Sequence, residues 1–288
     1  MKKHQLTLFV LPALLFYSIF TLAPAIGGIF YSFTNWNGLA KDFDFIGLRN
    51  YVTMLSDTDF INAVLFTLKF VVVMVVLQNV VALALALMIE SRNKTKALFR
   101  TLLFMPNMLS MIIGGFMWMF IFTRALPYIA QQLNLAQLAN ISWIGDPNFS
   151  FIAIIIVSLW GGVGYLMIIY IAALQGVDHT LKEAASIDGA TPFQTLTKVV
   201  LPSIMPALTI GVFVTLNNSF KVFDVVFSLT GGGPGRSTQV IAMNIFAEAY
   251  SLNNRYGYAS AKSVVLFLII LIITLIQLIL MRRKEIDG

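Results

Sequence analysis

Side chains able to hydrogen-bond recur at helical spacing inside stretches that are otherwise apolar. Such residues either hold a polar solute or pack one helix against another. Ser158, Gly161, Gly162 and Tyr165 fall at i, i+3, i+4 and i+7, on one face of a helix. Gly211, Thr215, Asn218 and Val222 fall at i, i+4, i+7 and i+11, with Ser219 beside Asn218. Gln78 and Asn79 add two amides from an earlier stretch. Small residues and cross-helix hydrogen bonds also pack helices in membranes, so for the glycines and Thr215 both readings stand. Asn218 and Tyr165 point towards solute contact, because a bare amide facing lipid is expensive. The candidate solute-binding residues are Ser158, Tyr165, Thr215, Asn218 and Ser219. Trp160 fits an aromatic platform, or an interfacial or packing role.

Covalent and metal chemistry find no comparable material. There is no cysteine, hence no thiolate nucleophile, disulfide framework or cysteine metal site, and His4 and His179 are too few for a histidine cluster. The string GGGPGRST (231–238) invites a phosphate-loop reading and fails its spacing. The position five before Gly235 is Thr230 rather than glycine, and Arg236 replaces the lysine. The chain is expected to be no enzyme, to hydrolyse no ATP and to carry no metal or cofactor of its own.

The elements that must position these residues are membrane helices. Of 288 residues, 58% are hydrophobic and 11% charged, against about 45–50% and about 25% in a soluble domain. So little charge cannot cover so much apolar surface in water, which excludes a soluble enzyme, a disordered chain and a nucleic-acid-binding domain. Six segments reach the roughly 20 apolar residues that cross a bilayer: about 7–32, 61–89, 101–123, 150–174, 199–220 and 263–281. The first is longer than the apolar core of a signal peptide and no clear small-residue cleavage site follows it, so it is read as an uncleaved span. With the N-terminus in the cytoplasm, the inside segments hold 11 Lys/Arg in 48 residues and the outside loops 7 in 96. That density ratio of about threefold puts both termini inside. Lys69 is the one charge well within an apparent span, read either as an intramembrane ligand or proton site or as a side chain snorkelling to the interface. Loop 33–60, with its aromatics and Asp42, Asp44, Asp57 and Asp59, reads as a folded cap, and a short helix is expected from about 238 to 250.

Between the fourth and fifth spans, TLKEAASIDGATPFQTLTKVVLPSIMP (180–206) reads as two short helices joined at a glycine. Thr180 and Glu183 fit a capping box at the start of the first, and Gly189 suits the left-handed residue that ends it. Thr191, Pro192 and Gln194 restart a helix as N-cap, first helical residue and reciprocal cap partner. Ala184 and Ala185 leave part of the first helix nearly bare, so another surface can approach its backbone. Pro202 and Pro206 mark a bend into the fifth span. On this local chemistry alone, the segment is equally well a pair of caps and a turn.

The whole pattern resembles a known family. Glu183-Ala184-Ala185, three residues, Gly189, nine residues, then Val199-Val200-Leu201-Pro202 looks like the EAA loop of binding-protein-dependent ABC importer permeases. Val199 replaces the usual isoleucine, and Asp178 stands where many relatives carry proline. LFVLPALLF, FIGLRNY, DTDFINAVLFTLKF, FDVVFSLTGGGPGRST and YGYASAKS resemble sugar permeases of the MalF type, in their compact six-span form. The resemblance implies an all-α polytopic fold like that of type I ABC importer permeases, with 1–288 as a single transmembrane permease domain and 175–198 as its coupling loop. It makes Glu183, Ala184, Ala185, Asp188 and Gly189 the candidate contacts to an ATPase. It implies a second homologous permease subunit, two ATPase subunits that bind ATP and Mg, a periplasmic or extracellular solute-binding protein, a bacterial inner-membrane location, and no nucleic acid. The expected solute is a sugar, with an oligosaccharide favoured. The alternatives are glycerol phosphate or another polar metabolite in the same importer type, or an ion-coupled secondary transporter. Phosphate usually recruits Arg or Lys, and neither lies on the candidate faces of spans four and five.

Overall fold

The computed structural model describes residues 3–91, 95–252 and 254–283. Lys2, Arg92, Lys94 and Lys284, which enter the charge count, lie outside them. The described chain is helical, with no strand and one isolated antiparallel bridge, Thr34–Phe45. Its helices are α1 (3–31), α2 (Arg49–Met54), α3 (Thr58–Glu90), α4 (Lys96–Phe104), α5 (Met111–Gln132), α6 (Pro147–Gln175), α7 (His179–Ile187), α8 (Pro192–Ser203), α9 (Met205–Phe220), α10 (Asp224–Leu229), α11 (241–252) and α12 (Tyr256–Arg282). Val10–Tyr31 of α1 and the whole of α3, α5, α6 and α12 are long and apolar enough to cross a membrane, and α8 with α9 forms a sixth, bent candidate. The most apolar windows of the first and last are wholly unburied within the chain, whereas half of that of α6 is buried. Unburied apolar helix of that kind belongs against lipid or another apolar helix.

Among the described residues four helices widen by one residue, at Ser18–Leu22, Ile121–Ala125, Leu196–Val200 and Ala247–Leu252. The first three wide turns each end two residues before a proline: Pro24, Pro127 and Pro202. Proline has no N–H to give to the carbonyl four residues back and its ring clashes with it, so the ladder slips to i→i−5 bonds instead of breaking.

Two expected spans are divided differently. Segment 101–123 is not one helix: α4 ends in a tight turn at Met105–Met108, Leu109 and Ser110 are extended, and α5 starts afresh at Met111. Pro106, followed by the polar Asn107 and Ser110, stops the first helix. Segment 199–220 is bent by 72° at Ile204, between α8 and α9, as Pro202 and Pro206 led us to expect. The last helix begins at Tyr256, seven residues before the expected start of its span, and so takes in Lys262.

By its contacts the chain falls into two compact units, Met1–Ile61 with Ile241–Ile269, and Asn62–Val240 with Ile270–Gly288. In the first, loop 33–57 is a folded cap. Asn50 donates to the carbonyls of Ser32 (2.8 Å) and Thr34 (2.9 Å), Tyr51 shares a hydrogen bond with Ser32, and the Gly257 N–H donates to Trp36. Trp36 stacks on Tyr31 and meets Tyr256 edge-on.

In the second unit, Ala82, Ala86 and Ile89 of α3 pack against Val163, Met167, Tyr170 and Leu174 of α6 and against Val200 and Ile204 at the α8–α9 bend. Glu90, at the end of α3, pairs with Lys96 (2.9 Å) and Arg100 (3.3 Å) and accepts from Gln175 at the end of α6. The end of α4 presses on α6 so closely that a Cβ on Gly164 would lie 2.1 Å from the Leu103 carbonyl oxygen. Gly164→Ala should therefore cost about 1–3 kcal/mol, read as a lower thermal midpoint in detergent. Gly28→Ala, where a Cβ meets nothing within 4 Å, should leave the midpoint unchanged or raise it.

Candidate functional site

Two features of the second unit bear on function, a polar cavity and a two-helix elbow. The cavity has a volume of about 390 Å³. Helix α3 brings Phe70, Met74 and Gln78 to it, and α6 brings Ser158, Gly161 and Gly162, three residues of the i, i+3, i+4 face. The end of α9 adds Asn218 and Ser219. Asn107, in the break between α4 and α5, lines the wall and donates to the Gly161 carbonyl (3.2 Å). Both glycines are small for local reasons. A Cβ on Gly161 would lie 2.6 Å from the Met111 sulfur, and one on Gly162 would lie 2.7 Å from the Gln78 amide nitrogen. The Ser158 hydroxyl is buried with no hydrogen-bond partner among the described residues, which is uncommon for a buried hydroxyl.

Of the five candidate solute residues, Ser158, Asn218 and Ser219 are brought together here, while Tyr165 and Thr215 are not among the lining. Tyr165 is 43% exposed on the surface of α6. Thr215 is buried; it donates to the Gly211 carbonyl (2.9 Å) and accepts from Asn79 (3.3 Å), which in turn accepts from Tyr170. That ladder joins α9, α3 and α6, and a Cβ on Gly211 would collide with the Tyr170 hydroxyl. Thr215, Gly211 and Asn79 thus pack helices, one of the two roles open to them. Trp160 lies edge-on to Trp118 at 5.8 Å and beside Gly114, also in packing. Lys69 is exposed, its ammonium 4.3 Å from the centre of the Phe151 ring.

Of the polar lining, the sequence reading missed Asn107 and two charged residues. Lys221 and Asp224 line the cavity; the candidate faces of spans four and five carry no Arg or Lys, and Lys221 adds a cation just past the end of the fifth span. Both charged residues follow the end of α9 by only a few residues, and α10, which places Asp224, was not expected; its VVFSL core is too short to show a helical period.

The elbow follows α6. Helix α7 is capped by Asp178, which accepts from the Thr180 N–H (2.9 Å). The expected cap of Thr180 with Glu183 is therefore displaced by two residues, because a carboxylate is the stronger acceptor for the free N–H groups of a first turn. Those bonds with Thr180 hold the Asp178 carboxyl below its usual range. Released from capping, Glu183 is exposed and bonds to no other described residue. Gly189 ends the helix at φ +75°, with the Gly189 N–H on Ser186 and the Ala190 N–H on Ala185, the paired bonds of a left-handed helix stop. The second cap is as expected: Thr191 accepts from the Gln194 N–H and Gln194 accepts from the Thr191 N–H. Ala184, Asp188 and Gly189 are exposed and Ala185 is half-buried. Nothing lies within 4 Å of a Cβ placed on Gly189. Ile187 (86% exposed) and Phe193 (73%) present apolar side chains on the same elbow.

Residues 78–286 match the family model described as the inner membrane component of binding-protein-dependent transport systems. The chain is 41% identical over 280 residues to the "Probable starch degradation products transport system permease protein AmyD" of Thermoanaerobacterium thermosulfurigenes, covering 97% of this chain and 94% of that one. It is 34% identical over 286 residues to the multiple sugar-binding transport system permease protein MsmF of Streptococcus mutans, covering 99% and 98%. Among solved structures, a chain of the bacterial alginate ABC transporter, in complex with an alginate pentasaccharide-bound periplasmic protein, superposes with a TM-score of 0.85 at 23% identity, covering 100% of this chain and 97% of that one. With the six candidate spans and the two-helix elbow, these matches make the chain a member of the binding-protein-dependent transport family, a multi-pass membrane permease subunit of ABC importers.

Proposed function

We propose that the chain is one of two homologous permease subunits of an ATP-driven importer for a neutral sugar, an oligosaccharide in keeping with the relatives named for starch degradation products and multiple sugars. One observation carries the choice of solute: the cavity gathers the amides of Gln78, Asn107 and Asn218 and the hydroxyls of Ser158 and Ser219 beside the Phe70 ring. Amides and hydroxyls answer sugar hydroxyls, and an aromatic face answers the C–H surface of a sugar. Lys221 and Asp224 supply one charge of each sign. That balance suits a neutral solute better than glycerol phosphate, whose charge calls for cations without an opposing carboxylate.

Residues 1–288 act as a single permease domain with both termini in the cytoplasm of a bacterial inner membrane, the orientation that the basic residues favour. The elbow then faces two ATPase subunits, which bind ATP and Mg, and the far loops face a solute-binding protein and the second permease. Glu183, Ala184, Ala185, Asp188 and Gly189 form the contact with the ATPase. Closure of the ATPases displaces α7, and α8, stapled to it through the Gly189 turn, passes the displacement across the Ile204 bend to α9. The far end of α9 carries Asn218 and Ser219, so movement of the elbow reshapes the cavity wall. This is the alternating access of a packed helix pair moving as a lever.

The test is uptake into proteoliposomes holding the chain with its partner permease, ATPase and binding protein. Uptake that follows an ion gradient and ignores ATP would leave a secondary transporter in place of the importer. Asn218→Leu should lower uptake by about tenfold with the ATPase still co-purifying; unchanged uptake would make Asn218 a packing residue. Gly189→Asp, which adds a charge at a left-handed position in the dock, should lower uptake by about a hundredfold while the protein still inserts.

A further inference from the structure

The first unit holds a charge network built around a buried lysine, which the transport path does not use. Lys262, in the second turn of α12, is fully buried. Its ammonium lies 2.8 Å from Asp57, just before α3, and donates to Asn244 (2.7 Å) and Glu248 (3.2 Å) of α11. Asp57 is held further by the Tyr258 hydroxyl (2.8 Å) and the Phe60 N–H (3.0 Å). Burial pushes the Asp57 carboxyl up, but the bonds with Lys262, Phe60 and Tyr258 outweigh it and leave the group below its usual range. Arg255 closes the circuit with two bonds to Glu248, at 2.7 and 3.0 Å. The rings of Tyr258 and Phe60 flank the ammonium at 4.4 and 5.3 Å. Two cations meet two carboxylates, so the network is neutral as a whole.

A well-packed apolar cluster would hold the same elements as firmly as a buried ion network, which gains little over its desolvation cost. What ionic bonds add is one permitted geometry, because any slip leaves a charge unpaired in a dry site. The three elements meeting at Lys262 are the start of α3, the start of α12 and α11, two of them membrane helices.

We propose that Lys262 is a positioning residue of the transport cycle, locking α11 and the starts of α3 and α12 into one body that keeps its geometry while the spans move. The proposal rests on the ATP-driven importer reading above. Without that lock the helix starts would yield separately, and ATP would be hydrolysed with less solute carried.

The balanced variant Lys262→Met/Asp57→Asn removes one charge of each sign and leaves the Glu248–Arg255 pair intact. In the complete complex it should keep its ATPase rate within about twofold, while maltotriose taken up per ATP hydrolysed falls by about fivefold or more. A merely structural role would lower uptake and hydrolysis together, so an unchanged ratio overturns the proposal. If that variant does not assemble, the isosteric Glu248→Gln carries the same test, with the same ratio deciding it.

A second measurement does not depend on the solute. The chain has no cysteine, so spin labels placed by Tyr250→Cys and Ile61→Cys report the distance from α11 to the start of α3. That distance should agree within about 2 Å between nucleotide-free and vanadate-trapped complexes and spread in the balanced variant. A change of about 5 Å or more in the otherwise unaltered complex overturns the lock. A complex that takes up no maltotriose would refute the sugar alone, since the spin-label distance still decides on the lock.

Discussion

A hydrogen-bonding group inside a lipid-embedded helix has no water to turn to, so it must find a partner in the protein or face a cavity. The few polar side chains of this chain divide accordingly. Tyr170, Asn79 and Thr215 form a ladder through three helices, and Gln277 of α12 donates to the Thr209 carbonyl of α9. Lys262 is enclosed by its own carboxylates. The Ser158 hydroxyl and the amides of Gln78 and Asn218 have no side-chain partner among the described residues, and all three border the same space. The cavity is identified by what is left after the packing bonds are assigned, more than by its size.

The elbow obeys the opposite constraint, because it must stay rigid while remaining open to a partner. Its ends are fixed by side chains and backbone of its own: the Asp178 cap, the paired bonds at Gly189 and the reciprocal cap of Thr191 and Gln194. None of these uses Glu183, Ile187 or Phe193, which stay available at the surface. A load applied to that surface meets a stiff element whose continuation, α8, is packed through Val200 and Ile204 onto α3 and α6.

Much of this was legible in the sequence because it depends on local chemistry. Glycine at 189 and the Thr191–Gln194 pair specify their turn within a few residues, and apolar length alone marks the spans. The elbow's first cap was misplaced because Asp178 and Thr180 both qualify by type, and only the competition between them decides. The division of segment 101–123 is marked locally by Pro106, with Asn107 and Ser110 after it, a signal that apolar length alone passes over. Asn218 and Thr215 share one helical stripe, yet one faces the cavity and the other a neighbouring helix; periodicity gives a face, and the neighbours decide what that face meets. Lys262 was hidden for the same reason, since its partners lie 14 and 205 positions away, at Glu248 and Asp57.

The widened turns ahead of Pro24, Pro127 and Pro202 have an effect beyond sparing the helix a break. Each inserts one residue without adding a full step of rotation, so a side-chain register laid out before the proline is out of phase after it by roughly a quarter turn. A stripe of residues drawn along α8 on an unbroken wheel would therefore assign the wrong neighbours to everything past Leu201. In an elbow that hands its motion to a span, this phase offset sets the direction in which the following side chains are aimed.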